Sequence, residues 1–257
     1  MPIGGTIDNT GTIALNSTSD ESDLEILVRG ATLQGGGQVV LSDSSQNVVF
    51  GGDPSAVLDN VDNTISGAGQ LGNGTLTFKN EGVIEATGAN ALVIDTGANA
   101  IVNTGTLAAS GAGGLVVNSA LTGGGNAEIS GSSSLEFGAA SDAEVSFDTG
   151  ATGTLKLDRA GAFTGTVAGF TGYNAIDLAD LVDGDQATIG YAATADNSGG
   201  TLTLGDAAQT HSVSLALLGQ YAAASDFAVA SDGHGGTLVT LADPSQNHAL
   251  ILANASP

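Results

Sequence analysis

The sequence predicts an all-β fold, a β-solenoid of stacked coils that ends in a small β-rich cap. Three observations predict it: a phrase that recurs at a spacing of 23 residues, an apolar content that is almost entirely aliphatic, and 40 glycines among 257 residues. The recurrence indicates repeated coils. The aliphatic content indicates a narrow core, and the glycines indicate corners between short strands.

The repeat is clearest in the middle of the chain. N-E-G-V-I-E-A begins at Asn80 and N-T-G-T-L-A-A begins at Asn103, and Leu92 and Leu115 have the same spacing. The phrase N-x-G-x-[IL] also occurs at residues 9–13, with a looser copy at 60–65, and L-x-G-x-G-x-x-x-[LI]-S occurs at 33–42 and 121–130. A unit of this length cannot bury its apolar face alone, so we expect about seven stacked coils over residues 1–165.

The recurring asparagines have two interpretations. Asn80 and Asn103 form either an internal ladder that satisfies the corner backbone or a polar row for a ligand. We favour the ladder, because a side-chain amide can bond its neighbour and Asn tolerates a tight corner. Leu92 and Leu115 are expected to point inward.

The composition changes near residue 165, where the N-x-G phrase disappears. We therefore predict a solenoid over residues 1–170, a β-rich capping module over 171–242 and a tail over 243–257. D-x-x-G-G-T-L at Asp196 and Asp232 predicts two hairpin tips. Residues 176–182 suit either a helical turn or a strand, and residues 213–221 suit a short helix.

The net charge of -23 limits the classes of partner that the chain is expected to bind. Four residues are basic, Arg29, Lys79, Lys156 and Arg159, which excludes a nucleic-acid footprint and disfavours acidic polysaccharides and anionic membranes. The chain has no cysteine, and no apolar run approaches a transmembrane helix of ~18 residues. No signal peptide is visible, so we expect a fragment of a larger protein whose targeting signals lie elsewhere.

Both repeat phrases, together with F-T-G-T-V-A-G-F at 163–170, resemble the passenger regions of large bacterial exoproteins, the autotransporter and filamentous-haemagglutinin-like adhesins. The stretch from G-Y-N-A-I-D-L at 172–178 to D-G-H-G-G-T-L-V-T at 232–240 is similar to a module of long alphaproteobacterial repeat proteins. The resemblance implies a right-handed parallel β-solenoid (β-helix) exported to the cell surface. It implies no catalytic residue.

An enzyme is the main alternative, because parallel β-helices also include polysaccharide lyases and epimerases. Such sites combine carboxylates with His, Lys or Arg. The sequence offers two groups, both of which we expect to be exposed ion pairs: Lys79 with Glu81 and Glu85, and Lys156 with Asp158 and Arg159. We therefore expect no enzymatic activity.

Calcium is the one cofactor that the acidity suggests. No EF-hand loop or nine-residue calcium repeat is present. Weak candidate ligands are Asp177, Asp180, Asp183 and Asp185, and a second acidic group comprises Asp20, Glu21, Asp23 and Glu25. Their alternative role is a solvated acidic loop, and His234 is expected to be a solvated turn residue.

The resemblance, together with the lack of a convincing catalytic group, implies a structural and adhesive segment of a secreted or cell-surface bacterial protein, associated with the outer membrane. Its expected partner is a glycan or protein of a host or biofilm surface, with no nucleic acid and no membrane insertion. A polysaccharide-active β-helix enzyme and a calcium-dependent binding module remain the alternatives.

Overall fold

The computed structural model describes residues 1–182 and 184–242, so the predicted tail at 243–257 lies outside the described residues. The chain is nearly all β, with 51% strand and 3% helix, and its parallel coils stack into a solenoid of about 8 turns. The predicted fold class, a parallel β-solenoid with a β-rich C-terminal cap, is confirmed. None of the helices in these ranges is long and apolar enough to cross a membrane.

Each coil has three legs, and equivalent legs pair in parallel to form three faces of the rod. Face 1 contains the first legs: β1 (Pro2–Asp8), β3 (Ser22–Gln34), β6 (Val57–Asn60), β9 (Thr77–Asn80), β12 (Ile101–Asn103) and β15 (Leu121–Thr122). In the last two coils this leg is reduced to single bridges at Ser141 and Phe163.

Face 2 contains the second legs and three strands of the cap. Its members are β2 (Thr12–Leu15), β4 (Gln38–Leu41), β7 (Thr64–Gly67), β10 (Val83–Ala86), β13 (Thr106–Ala109), β16 (Asn126–Ile129), β18 (Glu144–Phe147) and β20 (Thr166–Ala168), followed by β24 (Ser212–Leu218), β23 (Gly199–Gly205) and β22 (Thr188–Ala193).

Face 3 contains the third legs and two strands of the cap. Its members are β5 (Asn47–Gly51), β8 (Gly69–Gly72), β11 (Leu92–Ile94), β14 (Leu115–Val117), β17 (Ser134–Phe137), β19 (Thr154–Leu157) and β21 (Ala175–Leu178), followed by β26 (Thr237–Leu241) and β25 (Phe227–Ser231). Strand β3 turns a corner. Its first half pairs with β5 on face 3, and its second half pairs with β6 on face 1. Single 3₁₀ turns occur at Ala160–Ala162, Gly184–Gln186 and Ala224–Asp226.

The pairing register confirms the predicted spacing. Leu92 is the partner of Leu115, and Val83 is the partner of Thr106, so both pairs have the separation that the repeat predicts. The next third legs pair Leu135 with Leu155, a shorter separation, so coil length varies along the rod. Parallel pairing continues to Leu178, which adds an eighth coil beyond the seven expected up to residue 165.

The core follows from the alternation of side chains along these short strands. Leu92 and Leu115 are both 0% exposed, as expected, and one continuous cluster of buried apolar residues extends from the first coil into the cap. Aromatic rings enter this core mainly in the last coils, where the centroids of Phe147 and Phe170 are 6.0 Å apart.

Two glycines explain the L-x-G-x-G phrase. Gly35 and Gly123 occupy equivalent corners with φ values of 103° and 115°. A Cβ atom on Gly35 would lie 2.8 Å from the backbone oxygen of Asn9, and one on Gly123 would lie 2.4 Å from that of Asn103. The corners therefore require glycine both for its backbone conformation and for the close approach of the preceding coil.

The cap changes the pairing from parallel to antiparallel. β26 pairs antiparallel with β21, and β23 joins β24 and β22 as antiparallel neighbours. Tyr191, Tyr221 and Phe227 pack together, with centroids of the last two 5.2 Å apart. The fully buried Tyr221 donates a 2.9 Å hydrogen bond from its hydroxyl to the backbone oxygen of Phe170, which ties the cap to the last coil.

The structure also shows the secondary structure of the two segments, 176–182 and 213–221, that the sequence left open. The helix considered for 213–221 is wrong: β24 is a strand in which Val213, Leu215 and Leu217 are buried alternately. Residues 176–182 begin with the strand β21. The two predicted hairpin tips are confirmed, because Asp196 lies between β22 and β23 and Asp232 lies between β25 and β26.

Candidate functional site

A row of outward-facing residues follows the rod along face 3, with one residue from each coil after the first. We call it the face 3 track, and in register order it comprises Val48, Gln70, Val93, Val116, Glu136, Lys156 and Asp177. Apart from the buried Val48, its members are partly exposed. At ~4.8 Å per coil the track is roughly 29 Å long, with its apolar residues toward the first coils and its charges beside the cap.

Lys156 is the central charge of the track. Its Nζ lies 3.1 Å from Glu136 Oε1 and 3.1 Å from Asp158 Oδ1. Partial burial acts to lower the pKa of Lys156, but the bonds to Asp158 and Glu136 together outweigh burial and raise it. The predicted pair with Asp158 is confirmed, whereas Arg159 forms no ion pair with the described residues.

Asp177 is the unusual carboxyl of the track. Its Oδ1 is buried and has no hydrogen-bond partner within the described chain. Burial raises the pKa of Asp177, the negative charge of Asp232 raises it further, and the nearby Lys156 only partly offsets this. Asp177 therefore holds a proton more readily than an ordinary aspartate.

The hairpin tip at Asp232 lies against the same end of face 3. Asp232 Oδ1 accepts backbone hydrogen bonds from His234 at 2.7 Å and Gly236 at 2.8 Å, and the bond from His234 is the main cause that lowers the pKa of Asp232. A Cβ on Gly236 would lie 2.7 Å from the backbone oxygen of Leu178. The tip is thus packed beside Asp177, and His234 is the exposed turn residue that was expected.

This arrangement has a chemical consequence. A carboxyl whose pKa is raised by burial and a lysine between two carboxylates are groups that acid-base chemistry on a polysaccharide uses. The sequence placed Lys156 with Asp158 but did not place Glu136 or Asp177 beside it, because these residues lie in the coils before and after it, and those coils differ in length.

The predicted calcium ligands do not share one set of neighbours. Asp180 accepts a 3.1 Å bond at Oδ1 from the backbone of Ala160, and its Oδ2 lies 3.9 Å from His211 Nε2, whereas Asp177 lies near Lys156 and Asp232. Asp183 and the side chain of Asp185 lie outside the described residues. Within the part of the chain that is described, no group of three or more His, Asp or Glu residues is arranged to hold a metal.

The second acidic group lies at the end of the first coil, with Asp20 and Glu21 in the loop before β3 and Asp23 and Glu25 on the first half of β3. Asp20, Glu21 and Asp23 are exposed, and Glu25 is partly exposed. The Asp23 carboxylate raises the pKa of Glu21, because it accepts a hydrogen bond from the protonated form of Glu21 and repels the charged form.

The asparagines of the corners form an internal ladder, as predicted. Asn60 Nδ2 donates to Asn80 Oδ1 at 2.8 Å, and Asn80 Nδ2 donates to Asn103 Oδ1 at 2.7 Å. Asn9 donates in the same way to Asn63 at 2.8 Å. Because Asn60, Asn80 and Asn103 are 0% exposed, the ladder is a structural element and not a surface for a ligand.

The ion pairs predicted for Lys79 are wrong. Across residues 1–182 and 184–242, Lys79 forms no ion pair with Glu81, Glu85 or another carboxylate, and it is exposed on face 1. The reason is the direction of the side chains: Lys79 is in register with Asp59 on face 1, whereas Glu85 belongs to face 2 and accepts a 2.7 Å bond from Ser110.

Comparison of the chain with protein families, with curated proteins and with solved structures gives no match. The candidate surfaces therefore depend on the geometry described above.

Proposed function

We propose that this chain is a structural and adhesive segment of a secreted or cell-surface bacterial exoprotein, a stiff rod that presents the face 3 track to a glycan or protein of a host or biofilm surface. The observation that carries the proposal is the track itself. It presents one partly exposed residue per coil over six successive coils, from Gln70 to Asp177, and so matches an extended partner that lies along the rod.

Stiffness follows from the way the coils are joined. Each leg pairs with the legs before and after it, and one buried cluster connects all coils. Backbone pairing repeated along an axis resists bending, because a bend would have to open many hydrogen bonds at once. This favours a spacer that holds a binding surface away from its anchor.

The composition of the track favours adhesion. Val93 and Val116 are neighbours in register and partly exposed on the outer side of face 3. Apolar surface in a strongly acidic chain marks a place where contact with a partner gains free energy. The adjacent charges of Glu136 and Lys156 add polar contacts at one end.

The fourth coil, which consists of β9, β10 and β11, provides a matched pair of variants to test this role. Val93→Glu places a charge on the track, and Val83→Glu places the same charge on face 2, where Val83 is also partly exposed. The purified chain would be assayed for binding to immobilised matrix proteins and biofilm polysaccharides. We expect Val93→Glu to weaken retention by at least about tenfold, with Val83→Glu unchanged. Equal retention of both variants, or no retention of the unmodified chain, would contradict the proposal.

A second candidate function, a polysaccharide lyase or epimerase, is favoured by one observation: Asp177, whose buried Oδ1 has no hydrogen-bond partner in the described chain and whose pKa is raised, is in register with Lys156. The test is turnover of alginate, pectin and neutral glycans by the purified chain. Turnover that Asp177→Asn or Lys156→Met abolishes while the melting temperature is retained would replace the adhesive role with an enzymatic one.

A further inference from the structure

The strand β22 is a free edge at the cap end of the rod. Among the described residues it pairs with β23 alone, so it is the last strand of the sheet that forms face 2. Its sequence, T-I-G-Y-A-A, contains no charged residue and no proline. Proteins usually protect edge strands with charges, prolines or a covering segment, because an open edge can pair with another strand.

The pairing with β23 directs alternate backbone groups toward this edge. Thr194 N donates to the backbone oxygen of Gly199 at 2.8 Å, so these two residues form a hydrogen-bonded pair. Hydrogen-bonded and non-hydrogen-bonded pairs alternate along antiparallel strands. The even-numbered residues of β22 therefore bond to β23, whereas the N–H and C=O groups of Ile189, Tyr191 and Ala193 point away from it. Within the described part of the chain, no strand pairs with these outward groups.

The core is also incompletely covered along β22. Ile189 and Tyr191 point inward and pack against the buried cluster, but both are partly exposed. The ring of Tyr191 has its centroid 5.9 Å from that of Tyr221 and 5.3 Å from that of Phe227. On the next strand, β23, the inward Leu202 is 0% exposed. A further strand beside β22 would therefore extend the sheet and cover two side chains that belong to the core.

The other edge of the cap already has a cover. The strand β25 ends the sheet that contains face 3, and the 3₁₀ turn Gly184–Gln186 lies against it. A Cβ on Gly184 would lie 2.5 Å from Ser231 Cα, so this turn is in close contact with the end of β25. The open edge of the cap is therefore β22.

The tail leaves the cap close to this open edge. Ala242 is the last described residue, and its N–H donates a 2.8 Å hydrogen bond to the backbone oxygen of Asp226. Asp226 ends the 3₁₀ turn Ala224–Asp226, which lies beside β22. In the described ranges this turn forms no backbone hydrogen bond with β22. Residues 243–257 therefore start next to the unpaired strand.

The sequence of the tail suits an edge strand. D-P-S-Q-N at 243–247 has the composition of a turn, and A-L-I-L-A at 249–253 is an uncharged aliphatic run about as long as β22. The connection from Ala242 to Ala249 spans at most ~25 Å. The first coil also leaves inward isoleucines partly exposed, but it lies about 8 turns away, which is ~38 Å. Within one molecule, the edge that this run can reach is therefore β22.

We infer that residues 249–253 add as a strand along β22 of the same molecule and close the cap end of the rod. The added strand forms the hydrogen bonds that the outward groups of β22 leave open, and its aliphatic side chains cover Ile189 and Tyr191. A second copy of the chain is a less favourable occupant, because two molecules with a net charge of -23 repel each other. This closure is independent of the adhesive role of the face 3 track, so either can fail without the other.

Amide hydrogen exchange of the full chain, measured by NMR, tests for the added strand. Gly190 and Ala192 are the internal reference, because their amides bond to β23. We expect the amides of Ile189, Tyr191 and Ala193 to have protection factors within about tenfold of the reference. Absence of protection at these three amides would overturn the inference.

Leu250→Pro combined with Ile251→Pro identifies the segment that protects them. Adjacent N–H groups of a strand point to opposite sides, so one of the two prolines removes a bond to β22 in either register. We expect protection of the outward amides to fall by at least about tenfold, with the reference amides unchanged. Ala255→Pro combined with Ser256→Pro, beyond the aliphatic run, is the matched control and should change neither set. Protection that survives the first variant, or that falls equally in the second, would contradict the inference.

Dilution distinguishes the tail of the same molecule from a second copy. We expect the unmodified chain to sediment as a monomer, with the same protection of the outward amides across a ~tenfold range of concentration. A dimer whose dissociation on dilution removes this protection would assign the edge to a second copy and would overturn the inference.

Discussion

Asn80 donates a 2.7 Å hydrogen bond from its side-chain amide to the side-chain oxygen of Asn103, its counterpart one coil later. Both side chains are completely buried at the corner between face 1 and face 2. Asn80 in turn accepts from Asn60, so the amides form a chain along the rod. The relationship couples the coils that begin with β6, β9 and β12 at the corner where the backbone turns.

The ladder makes a first prediction. Asn80→Ala should lower the free energy of unfolding by about 1–3 kcal/mol, because Asn60 and Asn103 would lose buried partners. Urea denaturation followed by circular dichroism measures the change. Asn118→Ala, at an exposed position, is the control and should be close to neutral. Equal stability of the two variants would show that the ladder does not stabilise the fold.

The inward leucines make a second prediction. Leu92→Asp or Leu115→Asp should unfold the rod, because lost packing alone costs about 2–5 kcal/mol and an unpaired carboxylate would remain between coils. Val93→Asp, on the outer side of the same strand, should keep the β-type circular dichroism spectrum. Cooperative melting of the Leu92 variant near that of the unmodified chain would contradict the inward assignment.

Asp177 makes a prediction about pH. Its pKa is higher in the folded chain than in the unfolded chain, so the charged form destabilises the fold at neutral pH, and this is relieved as the pH falls through the folded pKa. Asp177→Asn should therefore be more stable than the unmodified chain near pH ~7, with the difference shrinking toward pH ~4. Denaturant midpoints across this range give the comparison, and Asp20→Asn, in an exposed loop, should show no such trend.

The alternative function of a calcium-dependent binding module leads to a further prediction. If Asp177, Asp180, Asp183 and Asp185 bind calcium, the melting temperature should rise in millimolar calcium and exceed the rise in equal magnesium. Asp180→Asn should remove the calcium-specific part of the rise. Identical curves in calcium and magnesium would count against this alternative.

The fold could be predicted from the sequence in the part of the chain where the repeat is regular. Asn80, Asn103, Leu92 and Leu115 share one spacing, and the structure places each pair in direct register. The corner phrase L-x-G-x-G was equally informative, because Gly35 and Gly123 adopt conformations that other residues rarely take.

The candidate site could be predicted only in part. Lys156 and Asp158 are close in sequence, but Glu136, which pairs with Lys156, and Asp177, which is in register with it, belong to neighbouring coils of unequal length, which no single spacing reveals. The ion pair predicted between Lys79 and Glu85 was wrong for a related reason, since Glu85 belongs to another face of the rod.

Every surface proposed above depends on the register of neighbouring coils, which cysteine cross-linking measures most directly. The chain has no cysteine, so Val93→Cys with Val116→Cys introduces one defined pair. Adjacent parallel strands lie ~4.8 Å apart, within disulfide reach, whereas Val93→Cys with Glu136→Cys spans two coils and exceeds it. The account predicts rapid intramolecular oxidation of the first pair and none of the second. Failure of the first pair to oxidise in the folded chain, or equal oxidation of both, would contradict the stacked-coil register.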